Sequence, residues 1–150
     1  MIVVLTGLLL ISWQRIKRAS DEVKAKHADS LGTLVHYLPY TRRDLHYFYG
    51  VLITAGIVEE IVYRGFVLWY LVMFMPLWVA MAVSSIAFGL GHSYQGAGGA
   101  IRVALLGLFF AIFYVLTGSI FLPIIAHIVL DVLQGAAIPE ILRKQHKVET

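Results

Sequence analysis

Residues 56–66 read GIVEEIVYRGF, where two adjacent carboxylates and an arginine interrupt a long apolar run. A charged side chain at membrane depth costs on the order of 3 kcal/mol, so it needs a partner, water or a function. Glu60 and Arg64 are four residues apart with the acid first, the favourable order for an ion pair on a helix. We expect a buried ion pair that fixes helix packing. Because successive helical residues differ by about 100° in direction, Glu59 should point to a different neighbour.

The composition outside this stretch indicates a membrane protein. The chain has 150 residues, of which 59% are hydrophobic and 14% charged, more apolar surface than a soluble domain of this length could bury. It contains no cysteine, which excludes disulfides, thiolate metal sites and a cysteine nucleophile. The net charge is +3, but the basic residues lie beside apolar segments. This placement favours orientation in a bilayer over binding of nucleic acid.

The hydrophobic segments predict an all-α fold, a polytopic transmembrane helical bundle. Residues 1–13 are apolar but shorter than the ~20 residues of a full span, so we interpret them as a partial transmembrane helix, the remainder of a longer one. Residues 14–44 form a basic juxtamembrane segment, residues 45–138 the helical bundle and residues 139–150 a cytoplasmic tail. The positive-inside rule places both basic regions on the cytoplasmic side.

Within the bundle, proline and glycine mark the ends of apolar segments at residues 45–75, 77–91, 102–116 and 120–138. A straight helix over the first of these would exceed the bilayer core, so it should tilt, bend near Gly56 or protrude. Gly96, Gly98 and Gly99 predict a flexible loop, and Pro123 is tolerated in the first turn of the last helix.

Two groups near the middle of the bundle are suited to moving a proton. Glu59 has no cationic partner at helical spacing, and Tyr63 lies one turn later on its face. Such a carboxylate can accept a proton from water. His92 follows the third apolar segment, and Phe88, four residues earlier, can support its imidazole.

His127 and Asp131 share a face of the last segment at a spacing of four residues. The pair could orient one another, bind a metal or hold a polar substrate atom, and the structural alternative is a hydrogen bond between helices. Three separate segments therefore each supply a carboxylate or an imidazole at depth. This set can activate a water and polarise a carbonyl, which amounts to hydrolysis without a covalent nucleophile. The sequence has no H-E-x-x-H, no G-x-S-x-G and no phosphate-binding P-loop.

Three spaced motifs carry a family resemblance. Glu59-Glu60-x-x-x-Arg64, Phe88-x-x-x-His92 and His127-x-x-x-Asp131 occur in that order about 30 residues apart. In this respect residues 50–135 resemble the CPBP intramembrane proteases. That family includes the type II CAAX prenyl endopeptidases and bacterial proteins linked to bacteriocin processing and self-immunity.

The resemblance implies roles for these residues. It implies that Glu59 activates water with help from His92, and that His127 and Asp131 hold the scissile carbonyl as its oxyanion forms. Asp131 stands where the prenyl proteases have asparagine. An ionised aspartate cannot donate a hydrogen bond to an oxyanion, so Asp131 is either protonated, orients His127 or helps to hold a metal.

The cofactor is left open between none and zinc. In the first case Glu59 is the base. In the second, Glu59, His92 and His127 are three zinc ligands with water as the fourth, and Asp131 becomes the candidate base or a further ligand.

We therefore predict a multi-pass intramembrane endopeptidase that cleaves a membrane-associated peptide or lipidated protein, with the prenylated CAAX type as one substrate class. Glu60, Arg64, Tyr63 and Phe88 would support the site. The alternatives are a non-catalytic immunity or scaffold protein of the same fold and, less favoured, an ion or proton carrier. The expected location is a bacterial or archaeal cytoplasmic membrane, with the site accessible from the cytoplasm. No nucleic acid partner is expected, and a second copy could complete a bundle whose first helix is short.

Overall fold

The computed structural model describes residues 41–135, together with Gln14 and Pro39. These residues are helical throughout their regular structure and contain no strand, which confirms the predicted all-α class. The predicted segments at 1–13 and 139–150, and most of the basic segment 14–44, lie outside the described residues. The elements are α1 (Arg42–Glu60), a π-helical segment (Ile61–Val67), α2 (Leu68–Leu71), α3 (Leu77–Gly91), a 3-10 turn (Ser93–Gln95), α4 (Gly96–Thr117) and α5 (Phe121–Gly135).

The chain divides into two compact units. Among the described residues, the terminal unit contains residues 41–54 and 128–135, and the central unit is Ala55–His127. In the terminal unit, α1 begins with a reciprocal capping pair. The Asp44 backbone N–H donates to Thr41 Oγ1 at 3.1 Å, and the Thr41 N–H donates to Asp44 Oδ2 at 3.0 Å. These bonds satisfy backbone donors that a helix start leaves without partners.

The apolar segment 45–75 is not one uniform α-helix. It remains helical through Gly56, where a bend was one expectation, and changes to the wider π-helical turn at Ile61. The Tyr63 carbonyl closes the segment by accepting from the Leu68 N–H and, at 3.0 Å, from the Ser84 hydroxyl. A side chain of α3 thus bonds to the π-helical backbone, and π-helical turns are often found at functional sites.

Helices α3 and α4 pack closely because small residues lie between them. A Cβ added to Gly89 would lie 2.6 Å from the Ala100 carbonyl oxygen and 2.7 Å from Ala104 Cβ. One added to Gly107 would lie 2.9 Å from a ring carbon of Phe88. Small residues at such crossings let helix backbones approach, as is typical of membrane helices.

The predicted glycine-rich loop is wrong. Gly96 has a positive φ of 78° and starts α4, and Gly98 and Gly99 lie in its first turn. Gly99 has its Cα where a side chain would collide with Gln95, which explains a glycine despite its low helix propensity. In contrast, α3 has the predicted bounds of residues 77–91, and Pro123 lies in the first turn of α5 as expected.

Within the described residues, one helical stretch is long and apolar enough to cross a membrane. It runs from Ser93 to Thr117 with a mean hydropathy of 2.2, whereas α3 and α5 are apolar but shorter.

Candidate active site

Three polar side chains from three separate elements meet in the central unit. Glu59 comes from the last turn of α1, His92 follows α3, and His127 comes from α5. The Nε2 atoms of His92 and His127 each lie nearest to a different oxygen of the Glu59 carboxylate. His92 Nε2 is 3.8 Å from Oε1, and His127 Nε2 is 3.7 Å from Oε2. The side chains of Glu59 and His92 are partly open, 27% and 18% exposed, and that of His127 is buried at 5%.

The spacing between Glu59 and the imidazoles fits a bridging water. Distances of 3.7 and 3.8 Å are too long for direct hydrogen bonds and short enough for one water to contact both groups. Because the carboxylate is partly exposed, such a water can exchange with solvent. The arrangement can therefore place a water against a proton acceptor and an imidazole.

The tautomer of His92 follows from its hydrogen bond. Its Nδ1 lies 2.9 Å from the Phe88 carbonyl oxygen, which can only accept. Nδ1 therefore carries the hydrogen, and in the neutral ring Nε2 presents its lone pair towards Glu59. The Phe88 ring also contacts the imidazole, with centroids 4.8 Å apart, so Phe88 supports His92 with both backbone and ring.

The ion pair predicted between Glu60 and Arg64 is present and fully buried. Arg64 Nη1 donates to Glu60 Oε1 at 2.7 Å, and Nη2 donates to the Gly107 carbonyl at 2.8 Å. The guanidinium carbon also lies 4.8 Å from the ring centroid of Phe88 and 5.4 Å from that of Phe110. Aromatic faces stabilise a desolvated cation, so the arginine is held from several sides.

Two contacts of His127 were not anticipated from the sequence. Its Nδ1 lies 2.8 Å from Glu60 Oε1, and its ring stacks on Phe110 with centroids 5.0 Å apart. Glu60 and His127 are 67 residues apart, and Phe110 is one of several aromatic residues in an apolar helix. No local spacing could have indicated either contact.

Tyr63 and Asp131 complete the predicted set. The Tyr63 ring packs edge-on against Phe88 at 4.9 Å, and its hydroxyl lies 3.2 Å from the position of a Cβ on Gly91, so Tyr63 braces α3. Asp131 is half-buried in the terminal unit, one turn after His127 on α5. Its three suggested roles stay predictions.

The second alternative for the cofactor is a zinc ion held by side chains of the candidate site. Over residues 41–135, no group of three histidine, cysteine, aspartate or glutamate side chains is placed so that it could hold a metal ion. Zinc binding by Glu59, His92 and His127 stays a prediction, and we derive no step through a metal ion.

The comparison with protein families matches residues 41–133 to the type II CAAX prenyl endopeptidase Rce1-like model. This range covers more than half of the chain and includes all three spaced motifs. The chain belongs to the Rce1-like family. Neither the comparison with curated proteins nor that with solved structures gave a match.

Membership of the Rce1-like family places the chain among integral membrane proteases that fold as helical bundles. The predicted polytopic helical bundle is thereby confirmed, and at family level the activity is that of a CAAX-type peptidase acting on a protein substrate. The family match does not support a metalloprotease.

Proposed function

We propose that this protein is an intramembrane endopeptidase that hydrolyses a peptide bond of a membrane-associated protein by means of a water activated by Glu59 and His92. The observation that carries the proposal is the position of the Glu59 carboxylate, with His92 Nε2 at 3.8 Å from one oxygen and His127 Nε2 at 3.7 Å from the other. A carboxylate and an imidazole that share one water are the groups general base catalysis requires.

In the first step Glu59 takes a proton from the water while the water oxygen attacks the scissile carbonyl carbon. The carbonyl becomes an oxyanion, and His92 Nε2 accepts a hydrogen bond from the water and so orients it. In the second step the oxyanion collapses, the carbon–nitrogen bond breaks, and the leaving amine takes the proton from Glu59. The products are a carboxylic acid, which ionises, and an amine, and no covalent enzyme intermediate is needed.

His127 would stabilise the oxyanion. With Nδ1–H directed at Glu60, its Nε2 can donate a hydrogen bond only when the ring carries a second proton. A preorganised donor of this kind typically contributes about 10²–10³ in kcat. Asp131 would assist either as a protonated donor or by orienting the His127 ring.

The substrate would reach the site beside apolar side chains. Four residues that flank the two glutamates in sequence have exposed apolar side chains: Ile57, Val58, Ile61 and Val62. This surface suits a substrate anchored in the bilayer, and the family's name gives a prenylated CAAX-type chain end as the first class to test. We propose cleavage near the cytoplasmic face.

The test is cleavage of fluorogenic CAAX-type peptides, with and without a prenyl group, by the purified full chain in detergent. Glu59→Gln keeps the side-chain shape and removes the base, so kcat should fall by about 10²–10⁴. His92→Ala should lower kcat in the same range, whereas His46→Ala, an exposed histidine of α1, is the matched control and should stay within twofold.

Each arm also separates the alternatives. Chelator should leave the wild-type rate unchanged, and a loss that zinc restores would replace the metal-free mechanism. A folded Glu59→Gln protein with undiminished cleavage would overturn the role of Glu59. Absence of cleavage by a folded wild type, with its biological phenotype kept in Glu59→Gln, would indicate the immunity or scaffold protein instead.

A further inference from the structure

The buried carboxylate of Glu60 has more than one partner. Its Oε1 receives Arg64 Nη1 at 2.7 Å and lies 2.8 Å from His127 Nδ1. The side chain is 0% exposed, and over the described residues its Oε2 has no hydrogen-bond partner. The same oxygen thus joins the arginine to an imidazole of the candidate active site.

The ion pair between Glu60 and Arg64 does not have the two-bond geometry that is common between arginine and a carboxylate. Arginine and a carboxylate commonly bind through two parallel hydrogen bonds that use both oxygens. Here Arg64 donates from one nitrogen to Glu60 and from the other to the Gly107 carbonyl, which leaves Oε1 shared and, within residues 41–135, Oε2 without a donor. Buried ion pairs are weak contributors to stability in general, so a pair with an unsatisfied oxygen needs another explanation.

We propose that Glu60 is a positioning residue for His127, which it holds in the Nδ1–H tautomer with Nε2 directed at Glu59. A carboxylate that is paired with arginine can only accept, so Nδ1 must carry the hydrogen. The hydrogen bonds of an imidazole decide which of its two nitrogens is protonated. In other hydrolases a carboxylate fixes the tautomer of a catalytic histidine in this way. The negative charge of Glu60 also stabilises the doubly protonated ring that must donate to the oxyanion.

Arg64 and Phe110 hold the two partners of this bond in place. Arg64 is fixed by the Gly107 carbonyl, which accepts a hydrogen bond from its Nη2 at 2.8 Å. Phe110 stacks on the opposite partner, the His127 ring, at an interplanar angle of 23°. The carboxylate and the imidazole therefore have little freedom to turn away from each other.

The proposal rests on the proposed function for its effect on catalysis but makes a separate claim about the ring, which can be measured without turnover. In wild-type protein labelled with 15N-histidine, the ring nitrogens of His127 should show a protonated Nδ1, and the signal is assigned by its loss in His127→Gln. The same state should persist in Glu59→Gln. A wild-type His127 with hydrogen on Nε2 alone would overturn the proposal.

Activity is tested in the double variant Glu60→Leu/Arg64→Met, which removes both charges and keeps similar volumes. Such replacements are usually tolerated because no buried charge is left alone. We expect a folded protein whose kcat is about 10²-fold or more below wild type, with KM within about threefold, because Glu60 no longer orients the His127 ring or stabilises its doubly protonated form. Ser85→Ala removes a buried hydroxyl that bonds within α3, and as the control should keep kcat within twofold.

The outcomes are distinguishable. A folded double variant with wild-type kcat would show that the pair only fixes packing and would overturn the proposal. If the double variant does not fold, the proposal is tested by the 15N measurement of which His127 ring nitrogen is protonated in the wild-type protein. If Glu59→Gln retains activity while His127 keeps Nδ1–H, the proposed mechanism fails and the positioning by Glu60 stands.

Discussion

Glu59 and Glu60 are adjacent in the chain, yet their carboxylates lie in opposite environments. Glu59 belongs to an open side of the site, is 27% exposed and has both imidazoles at distances that leave room for water. Glu60 belongs to a buried side, is 0% exposed and has two direct partners on one oxygen. The difference follows from the helix, whose successive side chains diverge by about 100°. One carboxylate can thus act on a substrate while its neighbour holds the apparatus in position.

The largest effect on stability is expected from Arg64→Met. It leaves the Glu60 carboxylate buried without its cation, which should lower the free energy of unfolding by about 3–5 kcal/mol. Arg102→Met is the matched control, since Arg102 is exposed on α4 and, among the residues that the structure describes, bonds to the Gly98 carbonyl of its own helix. Thermal unfolding in detergent measures both, and equal changes in the two variants would contradict the assignment of a buried side.

A smaller effect is expected from Gly107→Ala. The new Cβ would lie 2.9 Å from the Phe88 ring and 3.4 Å from Arg64 Nη2, so the ring must shift, at a cost of about 1–3 kcal/mol. The control is Gly98→Ala in the first turn of the same helix, where, apart from its chain neighbours and the helix's own backbone, no described residue has an atom within 4 Å of the added Cβ. That change should be neutral or stabilising by up to about 1 kcal/mol, because alanine favours a helix over glycine. A Gly107→Ala protein as stable as wild type would contradict the close contact between Gly107 and the Phe88 ring.

The smallest effect on stability is expected on the open side. Glu59→Gln removes no direct hydrogen bond to either imidazole and should change the free energy of unfolding by less than about 0.5 kcal/mol. Unfolding is measured on the same preparations as cleavage, so a large loss of kcat would be accompanied by almost no loss of stability. A destabilisation above about 2 kcal/mol would indicate that Glu59 is structural and would remove the contrast with its neighbour.

Features encoded locally could be predicted from the sequence. The bounds of α3 follow from Pro76 before it and the histidine after it, and the ion pair between Glu60 and Arg64 follows from helical spacing. Ionisable groups are costly in apolar segments, which indicates Glu59, His92 and His127 as site residues, and the structure brings these three together. Their catalytic roles stay predictions.

Features that depend on packing between distant residues could not be predicted from the sequence. Gly96, Gly98 and Gly99 predict a loop by propensity, but they form the start of α4, where a side chain at Gly99 would collide with Gln95. The bond from His127 to Glu60 joins residues far apart in the chain and has no periodic pattern. The π-helical segment is also not apparent, because its residues have the same apolar character as the α-helix before it.

Because of the π-helical segment, the positions of the two glutamates depend on the number of residues between Glu60 and Leu68. A π-helical turn accommodates one residue more than an α-helical turn, so ordinary α-helical pairing with all of Ile61–Val67 kept would rotate the last turn of α1 by about 100° relative to α2. Both glutamates would then face the wrong neighbours, although every amino acid with a chemical role was still present. The number of residues in this segment therefore matters as much as their identity, because it decides which neighbours the two glutamates face.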